Sequence, residues 1–292
     1  MVEWKPFLGF LPPLNDKEWE RVFKLYKSSA EYKFYNTGME ISEFKKIFFW
    51  EYVHRLFGRL IGILFFIPFT FFVIKKMISN SIIYRLLIIL FFGSIQGLIG
   101  WWMVKSGLAE NPYISQYRLS IHLANAFLIM FLILWLIMDF YEGVSRIKFN
   151  FNLLILFVLS ITIIAGAFVA GMDAGLMYNT YPLMNGKIFP EHYGQLGYLD
   201  PLENPGSIQF HHRHLGLLTL IGLFFVFFAN KKNSYLKKRL YALLILALSQ
   251  FGLGIFILLK FVPIAFASMH QIGAMMIFLL LTSIIHSQNI KN

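Results

Sequence analysis

The sequence predicts an all-α integral membrane protein with seven transmembrane helices, and three observations carry that expectation. Its apolar residues fall in seven blocks long enough to span a bilayer, most blocks are apolar all the way round, and basic residues gather in alternate connectors. The 292 residues are 58% hydrophobic and 14% charged, and the mean hydropathy is +0.63. A soluble domain carries closer to about a quarter charged residues.

The blocks lie at 48–74, 82–104, 117–138, 152–172, 209–229, 237–260 and 264–286. Each holds about 20 residues, enough at roughly 1.5 Å per residue to cross a hydrocarbon layer of about 30 Å. Ahead of them, residues 1–45 are polar and mix acidic with basic side chains. Lys75, Lys76 and Arg85 surround the first connector, Arg146 and Lys148 the third, and Lys231, Lys232, Lys237, Lys238 and Arg239 the fifth. The long fourth connector, 173–208, carries Asp173, Glu191, Asp200 and Glu203 against Lys187 alone. The positive-inside rule then puts odd connectors and the C-terminus on the cytoplasmic side of the cell inner (cytoplasmic) membrane, with residues 1–45 on the outer face.

This distribution also accounts for the net charge of +11, so the basic excess implies no nucleic-acid partner. The chain has no Cys, which excludes disulfides, thiolate metal sites and Cys nucleophiles.

An internal repeat organises the helices. His54-Arg55 followed by Gly58 matches His212-Arg213 followed by Gly216; Gln96-Gly97-Leu98-Ile99-Gly100 resembles Gln250-Phe251-Gly252-Leu253-Gly254. Ser120-Ile121-His122 followed by Ala126 matches Ser268-Met269-His270 followed by Ala274. The second half has one more helix, 152–172, ahead of its His-Arg helix. By symmetry the first half is expected to have one too, giving eight helices in full, in two pseudo-symmetric four-helix bundles. The domains are then the outer-face segment 1–45, an N-terminal bundle over 46–139 lacking its first helix, and a C-terminal bundle over 140–292 with the outer loop 173–208.

His54, His122, His212 and His270 occupy equivalent repeat positions, each near the outer start of its helix. Each is followed four residues later by Gly or Ala, on the same helix face. A histidine with a gap one turn below it suits a flat macrocycle lying against the helix. A polar helix end is the bland reading of any one histidine, but not of four matched ones, since ionisable groups in a membrane are costly. A non-haem iron site normally recruits a carboxylate as well. Two histidine pairs, one per bundle, fit two axially ligated haems better. Arg55, Arg59 and Arg213 are candidate contacts for haem propionates, with snorkelling to headgroups as the alternative.

The halves differ at one informative place. Glu51 precedes His54 by one turn, where Gln209 precedes His212. A carboxylate at one site and an amide at the other point to chemistry in the first half only, with Glu51 as proton acceptor or as partner to positive charge. An ion pair with Arg55 at i+4 is compatible with that role. His211, His214, His192 and His286 are given no ligand role. A di-haem b-type membrane electron carrier is the competing reading, although such proteins usually place two histidines on one helix. A repeat-built transporter predicts polar residues at the midplane, whereas here they cluster near one surface.

Together these motifs resemble the haem A synthase family, in its cysteine-free proteobacterial and mitochondrial type. The resemblance rests on Glu51-Tyr52-Val53-His54-Arg55 with Gly58-Arg59, on residues 117–123, and on Asn179-Thr180-Tyr181-Pro182-Leu183-Met184-Asn185-Gly186. It continues through residues 209–213, Val262-Pro263 and residues 270–274, and it includes residues 2–6 and 9–13. It implies a cofactor haem b on His212 and His270, and a substrate haem O on His54 and His122 beside Glu51 as the catalytic carboxylate. It further implies oxidation of the C8 methyl of haem O to a formyl group by successive hydroxylations, for terminal oxidase biogenesis. The implied partners are haem O, haem O synthase, terminal oxidase assembly factors, an electron donor and the bilayer.

Overall fold

The structure is a computed structural model of the chain, and it describes residues 11–107 and 115–290. The motif residues 2–6, with Gly9 and Phe10, lie outside the described residues. The fold is all-helical, with no strand among the described residues; two isolated bridges are its only β pairings there. Seven helices are long and apolar enough to cross a membrane, one for each apolar block. The chain is therefore a multi-pass helical membrane protein, and it divides into two units, Met1–Arg118 and Leu119–Asn292.

In the first unit, α1 (Asp16–Lys27) and α2 (Ala30–Tyr35) precede two long helices, α3 (Ile41–Ile74) and α4 (Asn80–Gly107). Asn15-x-x-Glu18 is an N-terminal capping signature, and it forms as such. The Asn15 side chain accepts from Glu18 N at 2.9 Å, and the Glu18 carboxylate accepts from Leu14 N at 2.9 Å. Asp16 and Glu18 in the first turn and Lys24 and Lys27 in the last complement the helix dipole. Trp19, Phe23 and Tyr26 share one face of α1 and bury against Phe44 and Phe48 on the first turns of α3. That aromatic packing starts α3 ahead of its apolar block and holds α1 against its N-terminal end.

In the second unit, α5 (Gln116–Glu142), whose first three residues belong to the first unit, precedes four helices that close a ring. These are α6 (Phe151–Gly171), α8 (Pro205–Asn230), α9 (Lys237–Leu259) and α10 (Ile264–Gln288). The neighbours round the ring are α6–α8, α8–α9, α9–α10 and α10–α6. Leu156, Leu159, Leu223, Val226, Leu243 and Leu281 fill its inner half. At Gly222 an added Cβ would meet Ile155 Cδ1 at 2.6 Å, so glycine lets α6 and α8 close up. Thr162 and Thr219 hydrogen-bond across the same pair at 2.8 Å. Helix α5 lays Phe127 on Phe278 and Trp135 on His286, both on α10.

The end of this unit that holds the last turn of α10 is closed by a polar network. His286, fully buried, meets Asp139 at 2.8 Å. Glu142 pairs with Arg239 and accepts from Ser287 Oγ at 2.5 Å. The sequence assigns His286 no ligand role, and here it ties α10 to α5. The opposite end is closed by the segment between α6 and α8, which includes the short helix α7 (Asp200–Glu203).

Candidate functional site

Glu51, His54, Arg55 and Arg59 lie within two turns of α3, in the first unit. The Arg55 guanidinium donates to the Glu51 carboxylate at 2.9 Å, an i,i+4 ion pair, while His54 is exposed. At Gly58, one turn below His54, an added Cβ would meet nothing within 4 Å. His122 lies in the second turn of α5 and belongs to the second unit.

His212 on α8 and His270 on α10 both belong to the four-helix ring, and each imidazole stands against a neighbouring helix, α6 and α9 respectively. The ring of His212 is held from α6. Its Nδ1 lies 3.1 Å from the Thr162 carbonyl oxygen, which makes Nδ1 the protonated nitrogen and leaves Nε2 as the free donor. The ring of His270 lies over Gly254 on α9, and Gln250 Nε2 donates to the His270 carbonyl oxygen at 2.7 Å. His270 Nδ1 is buried with no hydrogen-bond partner among the described residues. One turn below His212, the position of a Cβ on Gly216 is open space. Among the described residues no three His, Cys, Asp or Glu side chains gather as a metal site. Two imidazoles, one held by a main-chain acceptor and one with an orphaned buried nitrogen, beside open space on α8, fit ligation of a flat macrocycle.

Above these histidines runs a strap, 174–187, that contains the Asn-Thr-Tyr-Pro-Leu-Met-Asn-Gly motif. Asn185 and Gly186 both have positive φ, at 51° and 84°, and Met184 and Lys187 exchange backbone hydrogen bonds at 2.8 and 3.2 Å around them. This is the two-residue hairpin that an Asn-Gly pair favours. Met184 is buried beneath it with Tyr178 and Phe210. Gln209 is 2% exposed, and its amide donates to the carbonyls of Tyr178 at 3.1 Å and Gly175 at 3.3 Å. Arg213 donates to Tyr178 O at 2.6 Å and Thr180 O at 2.9 Å. Asn179 donates to Gly175 O at 3.1 Å and to Leu258 O at 2.8 Å, tying the strap to the end of α9.

Both N–H-bearing ends of the Arg213 guanidinium are thus engaged by the strap, and Nε alone is buried without a partner among the described residues. Of the weaker histidines, His214 faces the Phe210 carbonyl of its own helix at 2.8 Å, and His211 packs on Tyr193. Sequence reasoning missed Thr162 and Gly166, which act through a main-chain oxygen and an absent side chain. The Gln-x-x-x-Gly repeat did signal Gln250 and Gly254, without disclosing what they hold.

These features define the class: a multi-pass helical membrane protein whose second bundle presents a histidine pair under a hydrogen-bonded strap. The family model COX15-CtaA, cytochrome oxidase assembly protein, matches residues 1–282. The chain is 42% identical over 286 residues to the heme A synthase of Wolbachia pipientis subsp. Culex pipiens, covering 95% of this chain and 85% of that protein. It is 40% identical over 291 residues to the heme A synthase of Nitrosospira multiformis, with 95% and 82% covered. The corresponding figures for the heme A synthase of Maricaulis maris are 39% over 287 residues, with 96% and 84% covered. No solved structure matches. The chain belongs to the cytochrome oxidase assembly protein family.

Proposed function

We propose that this chain is a haem A synthase, a membrane oxidoreductase that converts haem O to haem A. The identity of about two-fifths with heme A synthases along nearly the whole chain carries this reading. The C8 methyl of the substrate is oxidised to a formyl group by successive hydroxylations, and the product serves terminal oxidase assembly.

His54 and His122 are the ligands of the substrate haem, and Glu51 is the catalytic carboxylate. Its i,i+4 pairing with Arg55 turns the carboxylate along the helix, placed to accept a proton from the reacting centre or to offset positive charge there. Arg55 and Arg59 stand on the same stretch of α3 to meet propionates. His212 and His270 hold the cofactor, haem b, which supplies one-electron transfer when bound. Three features support their assignment: the Thr162 acceptor behind His212, the orphaned nitrogen of His270, and the open space at Gly216. Gln209 takes the place of Glu51 in that half and spends its amide on the strap, so this half holds its haem without a carboxylate beside it. The protein works in the cytoplasmic membrane with its C-terminus inside. Haem O synthase, oxidase assembly factors and an electron donor are its partners.

The test is a haem extraction. The full chain is expressed beside a haem O synthase in a host that makes no haem A, and haems B, O and A are separated by chromatography. Haem A, or its hydroxylated precursor, is the expected product. Haem B alone, with a bis-histidine spectrum, would overturn the enzyme reading in favour of an electron carrier.

A further inference from the structure

Two glycines on helices that carry no ligand stand directly against the two imidazoles of the second bundle. A Cβ built on Gly166, in α6, would lie 3.0 Å from His212 Cε1, with the two ring nitrogens at 3.5 and 3.7 Å. A Cβ built on Gly254, in α9, would lie 3.0 Å from His270 Cε1, with both ring nitrogens at 3.7 Å. The two contacts are nearly the same, although they come from different helix pairs. Close approach is not uniform in this bundle: at Gly216 on α8 and Gly252 on α9 nothing lies within 4 Å of the Cβ position, while at Gly222 and Gly273 the neighbours are Ile155 and Gln250 and not an imidazole.

We propose that Gly166 and Gly254 are seats that set the planes of the two axial imidazoles, and so are positioning residues for the cofactor haem. The inference rests on the reading of His212 and His270 as its ligands. The χ2 torsion of histidine is broad, so a helix alone leaves the ring plane loosely defined. Turning about χ2 swings Cε1 through an arc, and a wall at Cε1 stops that swing. Pinning Cε1 therefore fixes the direction of Nε2, the nitrogen next to it in the ring.

Each seat is paired with a hold four residues earlier on the same helix. On α6 the Thr162 carbonyl takes the His212 Nδ1–H at 3.1 Å; on α9 the Gln250 amide takes the His270 carbonyl at 2.7 Å. The holds differ in kind, because one grips the ring and the other the backbone. A Cβ at Gly166 must push the ring away from a hydrogen bond that it cannot keep. A Cβ at Gly254 meets a ring whose Nδ1 has no hydrogen bond to lose among the described residues, so the ring tilts to a new plane.

The experiment measures haem content, optical spectrum and low-spin EPR signal of the detergent-solubilised full chain. The parent is compared with Gly166→Ala, Gly254→Ala and, as a crowding control, Gly222→Ala, whose Cβ would press on Ile155 instead of a histidine. Gly166→Ala is expected to weaken haem retention about ten-fold, the lower end of what it costs to lose the hydrogen bond that orients a ligating imidazole. Gly254→Ala is expected to keep haem and displace the EPR signal, and Gly222→Ala to keep both. Seat variants with the parent's haem content and EPR signal would overturn the proposal. So would seat variants that fail to accumulate in haem-limited cells where the parent apoprotein persists, since that makes the glycines packing residues only. A parent chain with no bis-histidine haem would sink the ligand assignment itself, and the parent spectrum decides that before any variant is read.

Discussion

The guanidinium of Arg213 donates to the Tyr178 carbonyl oxygen at 2.6 Å, one residue along the helix from His212. The candidate ligand helix and the strap above it are therefore joined at the histidine itself. A second bond, to Thr180 O at 2.9 Å, uses the other arm of the same planar fork. Lysine offers a point charge on a flexible stem and cannot span both acceptors in fixed geometry. Arg213→Lys should cost about 1.5–3 kcal/mol of strap anchoring, the range for a hydrogen bond to a charged group. Faster proteolysis within 173–208 and a lower haem-to-protein ratio are the expected readings, and parent-like values for both would show that the strap is held elsewhere.

Glu51→Gln removes the charge and keeps the shape. Haem b content should stay at the parent level while haem A formation stops or stalls at the hydroxylated stage. Haem extraction reads both at once, and a full yield of haem A would remove Glu51 from the chemistry.

Gln209→Glu is the reciprocal change. A carboxylate there would face the Gly175 and Tyr178 carbonyls, to which the amide now donates, in a position only 2% exposed. Lone pair would meet lone pair, and burial would penalise the charge. Lower thermal stability without any gain of oxidation is expected. A stable variant with a second reactive haem would show that the carboxylate alone makes a half reactive.

Removing one ligand tests the cofactor site. His212→Ala should abolish the stable b-type spectrum, whereas His54→Ala should leave it intact. An unchanged spectrum in His212→Ala would refute its role as ligand.

The segment between α6 and α8 carries a pH dependence of its own. Burial by itself would raise the Asp200 carboxyl, but hydrogen bonds from Ser207, Gly194, Asn204 and Leu196 outweigh it and hold the group down at about 2, against an ordinary 3.8. A folded value below the unfolded one means that the stabilisation is present above the ordinary value. It is lost as pH falls from about 4 towards 2. Pepsin cleavage within 188–208 should accelerate over that window in the parent, and Asp200→Asn should flatten the profile; an identical profile in the variant would contradict it.

At the opposite end, His286→Ala strips a buried partner from Asp139 and opens a cavity beside Trp135. Breaking a buried pair from one side costs about 3–5 kcal/mol. Thermal unfolding in detergent should register that loss, with the cofactor spectrum of the surviving protein unchanged.

The helices were legible because their signal is local and one-dimensional. A block apolar on every face has one stable environment, and each of the seven blocks is a helix. Boundaries were less legible: α3 begins at Ile41 because Phe44 and Phe48 pack against α1, a partner far outside any window of hydropathy. The histidines stood out by repetition, and Glu51 by the one place where the repeat breaks.

What the sequence by itself determined is the number and length of the spans, the repeat, and the residue types at each equivalent position, because these follow from composition and spacing along one chain. Only the tertiary structure decided what holds those residues. The Thr162 oxygen behind His212, the bare Cα positions of Gly166 and Gly254, and the carbonyls gripped by Gln209 and Arg213 are backbone features. Every residue offers a carbonyl, and a glycine offers only room, so neither acquires a role until packing brings a particular side chain against it.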